Sequence, residues 1–425
     1  MSTYQIYKKA YNFLSKYYHT IYKYIAYFYY MRRMPEILAK VKSKPVKKVV
    51  FVVIDISMWK SEKLFKKLLD DPEFEPYIMS FFYPFQLLEL KKTIQSQITE
   101  YCKQNSFPMI DGYDFDKDMC INFQTVHPDI VFYAQPYNGG YKEMRLESVW
   151  KEALFAYIPY CLNLESNMIF YSNLYQNICW KSYCATIFNK DYESKCLINK
   201  GVNMVVAGHP LFDEMDDKVN AKYCWKINDN KHKKIIWAPH HTITAQDCLS
   251  YSNFLDIADY MLQLAEKYQN DIEIAFKPHP ILKTKLYQHP EWGKNKTDEY
   301  YAKWSNMSNT LLAEGSYVDL FLTSDAMVHD SASFTCEYLY TCKPVLFIAK
   351  NEDEHRKKLN ELGIRCFNLH YHAKTVSEIE SFIRNVINEF DPMKTERLNF
   401  KNEFLKNKRL KFDEYIYQDL KTSLH

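Results

Sequence analysis

The sequence predicts an α/β protein with two Rossmann-like domains facing a cleft, preceded by an amphipathic helical segment at the amino end. Two observations lead to this fold class. Short apolar runs rich in β-branched residues alternate with segments of helical periodicity, which is the pattern of parallel strands covered by helices on both faces. The alternation runs through two series that meet near residue 225. With 425 residues, the chain is long enough to give each series its own hydrophobic core.

The composition excludes several classes of protein. Hydrophobic residues make up 47% of the chain and aromatic residues 16%, so wholesale disorder is excluded. The chain has only 8 glycines, and it contains neither a Gly-x-Gly-x-x-Gly motif nor a Walker phosphate loop. Its 11 cysteines are scattered without a Cys-x-x-Cys pair, so the sequence predicts neither a zinc ribbon nor a disulfide framework. A reduced, cytoplasmic location follows.

Residues 1–45 form a segment rich in tyrosine and in basic residues, with Glu36 as its single acid. This mixture is typical of a helix in a membrane interface, so we expect a peripheral anchor on the inner face of the cytoplasmic membrane. Lys16 and Lys23 interrupt the apolar residues and make the segment too polar to span a bilayer. The alternative is a helix packed on the body of the protein, with its tyrosines filling a groove. Nucleic acid is not an expected partner, because no DNA- or RNA-binding pattern accompanies the basic residues.

The first series of strands and helices defines a predicted acceptor domain over residues 46–225. Val49–Ile54 is its clearest strand, because a continuous β-branched run suits a strand that is buried on both faces. The segment 61–69 that follows has helical periodicity. Further strands are expected at 77–82, 130–133 and 154–158, and further helices at 85–102 and 174–188.

The second series defines a predicted nucleotide-donor domain over residues 226–400, after a polar connection at 213–233. Its strands are expected at 234–238, 272–276, 326–328 and 344–348, and its helices at 254–268 and 376–390. A carboxyl-terminal helix is expected over residues 401–425.

Two polar motifs follow strands of the second series and predict an anion site. Phe276–Pro280 contains Lys277 and His279, and Val328–Phe334 contains Asp330 and small hydroxyl residues. Open α/β sheets bind ligands at the carboxyl ends of their strands, so both motifs should lie at one edge of the sheet. The start of a helix offers free N–H groups to phosphate, and lysine and histidine add cationic donors. A nucleotide-linked anion is the ligand that fits best.

The order of several motifs resembles one known family. The motifs are Trp237-Ala238-Pro239-His240-His241, Lys277-Pro278-His279-Pro280, Ser324-Asp325, Asp330-x-x-Ser333, Glu337-Tyr338 and Lys343-Pro344. Together they resemble the carboxyl-terminal half of the CDP-glycerol glycerophosphotransferases, which make teichoic-acid and capsule polymers of the cell envelope. The resemblance covers residues 200–350. It implies a GT-B-like fold, a nucleotide donor bound by the second domain and a peripheral membrane location.

The resemblance also implies a donor site. The expected donor-binding residues are His240, Lys277, His279, Asp330, Ser331, Ser333 and Glu337. His279 is also an expected catalytic group, because its imidazole can hydrogen-bond the donor pyrophosphate and offset charge on the departing nucleoside phosphate. Ser331 and Ser333 could instead only cap the helix that follows them, and Glu337 could only pair with its dipole.

The sequence predicts no metal site. His240 and His241 are adjacent, so their side chains point in different directions, and no acid at ligand spacing joins them. No cofactor is required, although a divalent cation could accompany the donor pyrophosphate without dedicated protein ligands.

The first domain departs from the family pattern. Family members carry a Trp-His-Gly segment whose histidine is the candidate base, whereas Tyr157–Cys161 of this chain contains neither histidine nor glycine. The base must then be another residue. Asp55, at the end of the first strand, is the expected catalytic base, and Asp111 is the alternative.

The leading hypothesis is a transferase that moves glycerol phosphate or a related polyol phosphate from a CDP-linked donor to a cell-surface glycan or lipid-linked acceptor. The alternative is a nucleotide-sugar glycosyltransferase of the same fold, acting in capsule or lipopolysaccharide synthesis. A non-catalytic glycan-binding relative is the third class. A UDP-sugar epimerase fits least, because the basic aromatic amino end has no role in a soluble small-molecule enzyme.

Overall fold

The computed structural model describes residues 3–425 apart from short gaps. The gaps are residues 85, 87, 136–139, 168–172, 217–220, 245–250, 316, 332 and 406–409; the side chains before residue 21 and those of residues 57 and 405 are also outside the description. The main strands lie in two parallel sheets with helices in the connections, which confirms the predicted α/β class. The side chains expected to place residues 1–20 at a membrane lie outside the described part.

The chain forms two compact units. The first unit comprises Met1–Cys161, Met168–Pro210 and Leu410–His425, and the second unit comprises Leu162–Asn167 and Leu211–Arg409. The change of unit after Pro210 comes earlier in the chain than the boundary near residue 225 expected from composition. A helix starts at Pro210, directly after the last strand of the first sheet, so the expected polar connection begins inside a helix.

The first unit contains a parallel sheet. Its helices before the carboxyl-terminal segment are α1 (Thr3–Lys42), α2 (Glu62–Leu69), α3 (Leu88–Asn105), α4 (Phe123–Val126), α5 (Leu174–Ile178) and α6 (Ile187–Cys196). Its strands are β1 (Lys47–Val53), β2 (Phe74–Ser80), β3 (Met109–Ile110), β4 (Tyr113–Asp114), β5 (Met119–Cys120), β6 (Ile130–Tyr133), β7 (Leu154–Tyr157), β8 (Lys181–Cys184) and β9 (Met204–Val206). Among the described residues, the sheet has the order β3-β2-β1-β6-β7-β8-β9, and β4 pairs with β5.

Strand β1 is central because its apolar run can be buried on both faces. Val50 is fully buried, and it pairs with Tyr77 of β2 on one side and with Val131 of β6 on the other. Phe51 stacks on Phe132 with ring centroids 4.6 Å apart. Such cross-strand pairs of aromatic and β-branched residues stabilise the sheet and fix its register.

The predicted helix over residues 174–188 is wrong. Helix α5 ends at Ile178, and β8 then pairs with β7 and β9 inside the predicted segment. Thr186 caps α6 through its hydroxyl oxygen, which accepts the amide of Asn189. The predicted segment contains α5, β8 and the start of α6. Each of these pieces is too short for helical and strand periodicities to be told apart.

The second unit has the same plan. Its strands are β10 (Lys233–Ala238), β11 (Ile272–Phe276), β12 (Thr310–Leu312), β13 (Ala326–His329), β14 (Val345–Ile348) and β15 (Tyr371–Ala373). Its helices are α7 (Pro210–Asp216), α8 (Phe254–Lys267), α9 (Leu282–Gln288), α10 (Gly293–Asn306), α11 (Val318–Thr323), α12 (Phe334–Glu337), α13 (Glu352–Lys358), α14 (Glu361–Phe367), α15 (Val376–Ile387) and α16 (Lys394–Leu405). The described strands follow the order β12-β11-β10-β13-β14-β15. The sequence does not predict β12 and β15, because each has three residues and lies at a sheet edge.

Trp237 of β10 lies at the centre of the second core. It is 1% exposed. Its ring centroid lies 5.7 Å from that of Phe254 in α8, 4.9 Å from Phe276 in β11 and 5.4 Å from Trp304 in α10. Aromatic contacts of this kind bury a large area in defined geometry, and they fix the two strands that precede the candidate site.

Helix α17 (Phe412–Leu424) returns the chain to the first unit. Its Glu414 forms an ion pair with Lys67 of α2 at 2.7 Å, and Asp419 forms one with Lys181 of β8 at 3.0 Å. The single helix expected at the carboxyl end is therefore two helices, α16 and α17, which belong to different units.

The described side chains of α1 form two contrasting faces. Ala26, Tyr30 and Val41 are buried in the first unit, whereas Ile25 and Phe28 are each 63% exposed. The helix is therefore amphipathic, and one face does pack on the body of the protein, as the alternative interpretation expects. In the described part of the chain, no helix carries an apolar stretch long enough to cross a bilayer.

In each sheet, the chain first adds strands on one side of its first strand and then adds the later strands on the other side. In the first sheet β1 lies beside β6, and in the second β10 lies beside β13. Open α/β sheets bind ligands outside the carboxyl ends of the strands at such a switch point. The fold thus marks two positions, the loops after β1 and β6 and the loops after β10 and β13.

Candidate functional site

The loops that follow β10, β11 and β13 carry the site predicted in the second unit. His240 and His241 follow β10, Lys277 and His279 follow β11, and Ser331 follows β13. Strand β10 pairs with both β11 and β13, so the three loops emerge side by side at the carboxyl edge of the sheet. The structure therefore brings the two predicted motifs together at the switch point.

Asp330 holds two of the site loops in place. One carboxylate oxygen accepts the amide of His240 at 2.6 Å, and the other accepts the amide of Asn253 at 2.6 Å and its side-chain amide at 3.2 Å. Asp330 is 1% exposed, and burial raises its pKa to about 7. The sequence predicts Asp330 as a donor ligand; in the structure its carboxylate holds the backbone of His240 and Asn253 in position.

Asn253 is a residue of this network that the sequence analysis misses. It directly precedes α8, where a polar residue is ordinarily a helix cap, yet its side chain makes no capping bond. Its amide nitrogen instead donates to Asp330 and, at 3.1 Å, to the carbonyl of Ile348 at the end of β14. From the sequence, Asn253 would be taken as a helix cap. Only the structure shows that its side chain makes no capping bond and contacts Asp330 instead.

Three imidazoles meet at the centre of the site. The ring centroid of His279 lies 4.2 Å from that of His241 and 5.3 Å from that of His240. One ring nitrogen from each lies within 4.8 Å of the others, a spacing that could hold a metal ion. From the sequence only the adjacent pair is apparent, because the third ring follows the neighbouring strand β11.

Hydrogen bonding decides which ring nitrogen of His279 carries a proton. The amide of Ile281 donates to Nδ1 at 3.2 Å, so Nδ1 is an acceptor and the proton of the neutral ring lies on Nε2. The pKa of His279 is lowered to about 2, first by burial and then by His241, His240 and Lys277. His279 is therefore a neutral N–H donor at physiological pH.

Lys277 is buried beside these rings. It is 5% exposed, and its backbone amide donates to the carbonyl of Trp237 at 2.8 Å. Its charge is one of the causes that lower the pKa of His279. Lys277 is therefore not an exposed turn residue. The ammonium group places a positive charge near the neutral ring of His279.

Ser331 and Ser333 lie at the start of α12. The amide of Ser331 donates to Nδ1 of His329 at 3.1 Å, and its carbonyl accepts the Thr335 hydroxyl at 3.0 Å. Ser333 occupies the cap position of α12, but its side chain makes no capping hydrogen bond among the described residues. The capping alternative therefore does not account for the hydroxyl of Ser333.

Glu337 lies at the end of α12 and is 1% exposed. Its Oε2 accepts the hydroxyl of Tyr317 at 2.8 Å. Tyr317 directly precedes α11, so this bond joins the two helices on either side of β13. A carboxylate buried beside a tyrosine hydroxyl can also accept a ligand hydroxyl.

A polar cavity of about 260 Å³ adjoins the network. Asn253 lines it, and the exposed side chains Lys350, Asn351 and Glu354 line it from the loop after β14 and from α13. Neither Tyr317 nor Glu337 lines this cavity. Its size and polar wall suit a small hydroxylated group.

Asp55 lies at the switch point of the first unit. It follows β1 and lines a small cavity there with Gln135, which follows β6. Asp55 also lines an open groove of about 830 Å³, whose wall includes Ser96, Gln97 and Tyr101 of α3. Most of the residues that line the groove carry polar groups, and the groove is open to solvent, as a site for a hydroxylated chain would need to be.

Asp111, the alternative base, belongs to a local network. Its carboxylate accepts the side-chain amide of Gln95, and Gln95 in turn accepts the Ser80 hydroxyl at 2.6 Å. The same hydroxyl accepts the amide of Gly112 at 2.8 Å. Asp111 therefore holds the end of β3 to α3.

The site motifs match a known family. The profile described as CDP-glycerol:poly(glycerophosphate) glycerophosphotransferase matches residues 176–420, more than half of the chain. The chain belongs to this family. The resemblance expected from the motifs is confirmed, and the protein is a CDP-glycerol glycerophosphotransferase-like transferase. The match includes every expected donor-binding residue of this glycerophosphotransferase, whereas Asp55 lies before it.

Several solved structures have a similar fold. The wall teichoic acid polymerase TagF has a TM-score of 0.56 at 10% sequence identity, over 96% of this chain and 98% of that chain. A TagF variant soaked with CDPG gives 0.55 at 11% identity, over 95% and 98%. MnaA of S. aureus, solved with UDP, gives 0.51 at 13% identity, over 83% and 90%. At these identities the likeness shows the fold alone, which is GT-B-like, and no curated protein sequence matches the chain.

Proposed function

We propose that this glycerophosphotransferase moves glycerol phosphate or a related polyol phosphate from a CDP-linked donor to a cell-surface glycan or lipid-linked acceptor. The observation that carries the proposal is the cluster of His279, its neighbouring imidazoles and Lys277 at the switch point of the second sheet. Neutral N–H donors beside a buried ammonium suit a pyrophosphate.

In the proposed reaction, an acceptor hydroxyl oxygen attacks the β-phosphorus of the donor. A new P–O bond forms, the bond from that phosphorus to the bridging oxygen breaks, and CMP leaves with the electron pair. The hydroxyl proton passes to a base. Negative charge gathers on the bridging oxygen, so donors fixed beforehand near it stabilise the transition state. His279 and Lys277 are the groups assigned to this task.

The remaining donor contacts follow from the same arrangement. Ser331 and Ser333 are assigned to phosphate, because they precede α12 in the loop that also carries Asp330, whose carboxylate accepts the amide of His240. Glu337 is assigned to the ribose hydroxyls. The cavity of about 260 Å³ supports a position for the transferred polyol, since its polar wall begins at Asn253, next to Asp330.

The acceptor is assigned to the first unit, with Asp55 as the base. The support is topological, because Asp55 lies at the switch point and lines the polar groove along α3. A carboxylate at hydrogen-bond distance from the attacking hydroxyl can take its proton as the new bond forms. A divalent cation would arrive with the donor pyrophosphate rather than on a dedicated protein site.

We also propose a peripheral position on the inner face of the bacterial cytoplasmic membrane. Ile21, Tyr24, Ile25 and Phe28 are 45–63% exposed on the face of α1 turned away from the first unit, and Arg32 continues this face. Apolar and aromatic residues beside a basic one are suited to the interface of an anionic membrane. Such a position would bring the enzyme to lipid-linked acceptors.

A nucleotide-sugar glycosyltransferase is the second candidate, and one observation favours it. Where the family pattern has a histidine as base, β7 ends at Tyr157 and the chain continues with Ile158 and Pro159. A different base allows a different reaction, with attack at an anomeric carbon instead of phosphorus.

Nucleotide selectivity tests the proposal. Thermal stabilisation should be selective for CDP and CMP over UDP, GDP and ADP, because a ligand at about one hundred times its Kd adds roughly 2.7 kcal/mol to the native state. His279→Ala should remove this stabilisation and transfer from CDP-glycerol. His289→Ala is the matched control, since Nδ1 of His289 also accepts an amide two residues later, at 3.3 Å. Selectivity for UDP or GDP would favour the glycosyltransferase, and no response to any nucleotide would contradict both enzymes.

A further inference from the structure

Thr242 lies beneath the imidazole cluster and makes three hydrogen bonds. Its Oγ1 accepts the amide of Tyr251 at 2.8 Å and the amide of Ser252 at 3.3 Å. The third contact joins Oγ1 to Nδ1 of His240 at 2.9 Å. Thr242 is 6% exposed and His240 is 7% exposed, so water does not compete for these bonds.

The chemistry of a hydroxyl group fixes the direction of the third bond. A threonine oxygen has two lone pairs and one hydrogen. The two amides are obligatory donors and use both lone pairs. The hydroxyl hydrogen therefore points at His240, and Nδ1 must accept it. The proton of the neutral His240 ring then lies on Nε2.

His279 reaches the same state through a different partner. The amide of Ile281 donates to its Nδ1, which leaves the proton on Nε2. In both rings the Nδ1 lone pair is engaged in a hydrogen bond and Nε2 carries hydrogen. Neither nitrogen of either ring therefore offers a lone pair to a metal ion, although the spacing of the three rings would allow one.

We propose that Thr242 is a positioning residue that sets the tautomer of His240 and so makes the three-imidazole cluster select anions over transition-metal ions. The Nε2–H groups of His240 and His279 serve as hydrogen-bond donors to the anion. The identification of this anion as the pyrophosphate of a nucleotide rests on the proposed function. The assignment of the His240 tautomer does not depend on that function.

Nitrogen NMR of the full-length protein, labelled at its 13 histidines, tests the tautomer directly. The spectra of His240 and His279, assigned through His240→Gln and His279→Gln, should show a protonated Nε2 and a bare Nδ1 between pH 6 and 8. A proton on Nδ1 of His240 in the wild-type protein would overturn the proposal, whether or not the variants fold.

Substitution of Thr242 tests its effect on the anion. Thr242→Val should change the nitrogen spectrum of His240 and weaken binding of inorganic pyrophosphate about tenfold, the loss expected for one hydrogen bond to a charged group. Thr242→Ser keeps the hydroxyl and should restore both. A purely structural role would leave the tautomer of His240 unchanged in Thr242→Val, and that result would contradict the proposal.

Zn²⁺ tests the exclusion of metals. The wild-type protein should show no one-to-one binding at micromolar Zn²⁺, and its His240 and His279 signals should stay in place. Tight binding that shifts both signals would overturn the proposal. Pyrophosphate binding with the expected tautomers, but without transfer from CDP-glycerol, would support this inference and contradict the proposed function alone.

Discussion

The two sheets have the same strand order apart from the additional edge strand β9 of the first, yet their switch points are built in different ways. In the second unit, the buried side chains of Asp330 and Thr242 hold the loops through hydrogen bonds to backbone amides. In the first unit, Asp55 lies at the edge of an open groove walled by one face of α3. The contrast teaches that buried side chains hold the loops of the second switch point in fixed positions, whereas the first switch point is open to solvent.

The largest expected effect comes from removing the buried carboxylate of the second site. Asp330→Ala leaves the amides of His240 and Asn253 without their acceptor, which should destabilise the second unit by about 3 kcal/mol and abolish stabilisation by CDP. Amide exchange at the start of α8 would measure the first effect and thermal shift the second. Asp256→Ala, at an exposed ion pair with Lys350, is the control. Retained CDP stabilisation in Asp330→Ala would contradict the positioning role.

A change in the first site should act on chemistry alone. Asp55→Asn should lower kcat at least about 100-fold, the contribution typical of a general base, while the affinity for CDP stays unchanged. Initial rates at saturating donor, combined with thermal shift, separate the two quantities. Asp111→Asn is the matched control, because Asp111 is held in a structural network. Equal rates in the wild type and Asp55→Asn would remove Asp55 from the reaction.

Acid should affect the second unit before the first. In the second unit, burial lowers the pKa of His279 to about 2 and those of His329 and His355 to about 3. Among the described residues of the first unit, burial lowers the pKa of one histidine, His209, to about 3. Each lowered pKa contributes stability that is present above pH 6.5 and lost as pH falls, by up to about 1.4 kcal/mol per pH unit. Hydrogen exchange between pH 7 and pH 4.5 should show the strands of the second unit opening first. The reverse order would contradict the assignment of these rings as neutral.

Buried carboxyl groups act in the opposite direction: burial raises the pKa of Asp330 and Glu165 in the second unit and of Glu193 in the first. Burial raises the pKa of Asp330 to about 7 and that of Glu193 to about 8. Each contributes stability that is present below its ordinary pKa and lost as pH rises through the raised value. The second unit has one more such carboxyl than the first, but it also has two more of the lowered histidines named above, so the order of acid opening should stay the same.

The smallest expected effect concerns the surface of the first unit. Replacing both Ile25 and Phe28 with serine should lower binding to vesicles of anionic lipid about tenfold, because less apolar area enters the interface. Stabilisation by CDP should stay the same. Val202→Ser removes another side chain of the first unit, 78% exposed, as the control. Equal sedimentation of all three proteins with vesicles would favour a role for α1 in packing alone.

Much of the architecture is predictable because it depends on local sequence. The β-branched run of β1 and the apolar run of β11 each predict a buried strand, and the structure places both in the middle of a parallel sheet. The donor-site loops are predictable for the same reason, since Lys277 and Ser331 directly follow such runs. Strand β8 is not predictable from the sequence, because its four residues lie between two short helices.

The roles of single side chains depend on partners far away in the chain. Asp330 looks like a ligand in sequence, and only its bonds to His240 and Asn253 show that it positions the site. The histidine cluster likewise needs His279 from a neighbouring strand, and strand order is not written in any one motif. Conversely, the hydroxyl of Thr242 is inconspicuous in sequence, although it fixes a tautomer.

The return of α17 to the first unit affects how the protein is made and how it can be divided. Glu414 and Asp419 contact residues from far earlier in the chain, so the first unit lacks these contacts until the whole second unit has been synthesised. A nascent chain will therefore complete its second unit while the first still lacks one helix. An expression fragment of the first unit will need α17 joined back to it, for example by a linker from residue 210 to residue 410.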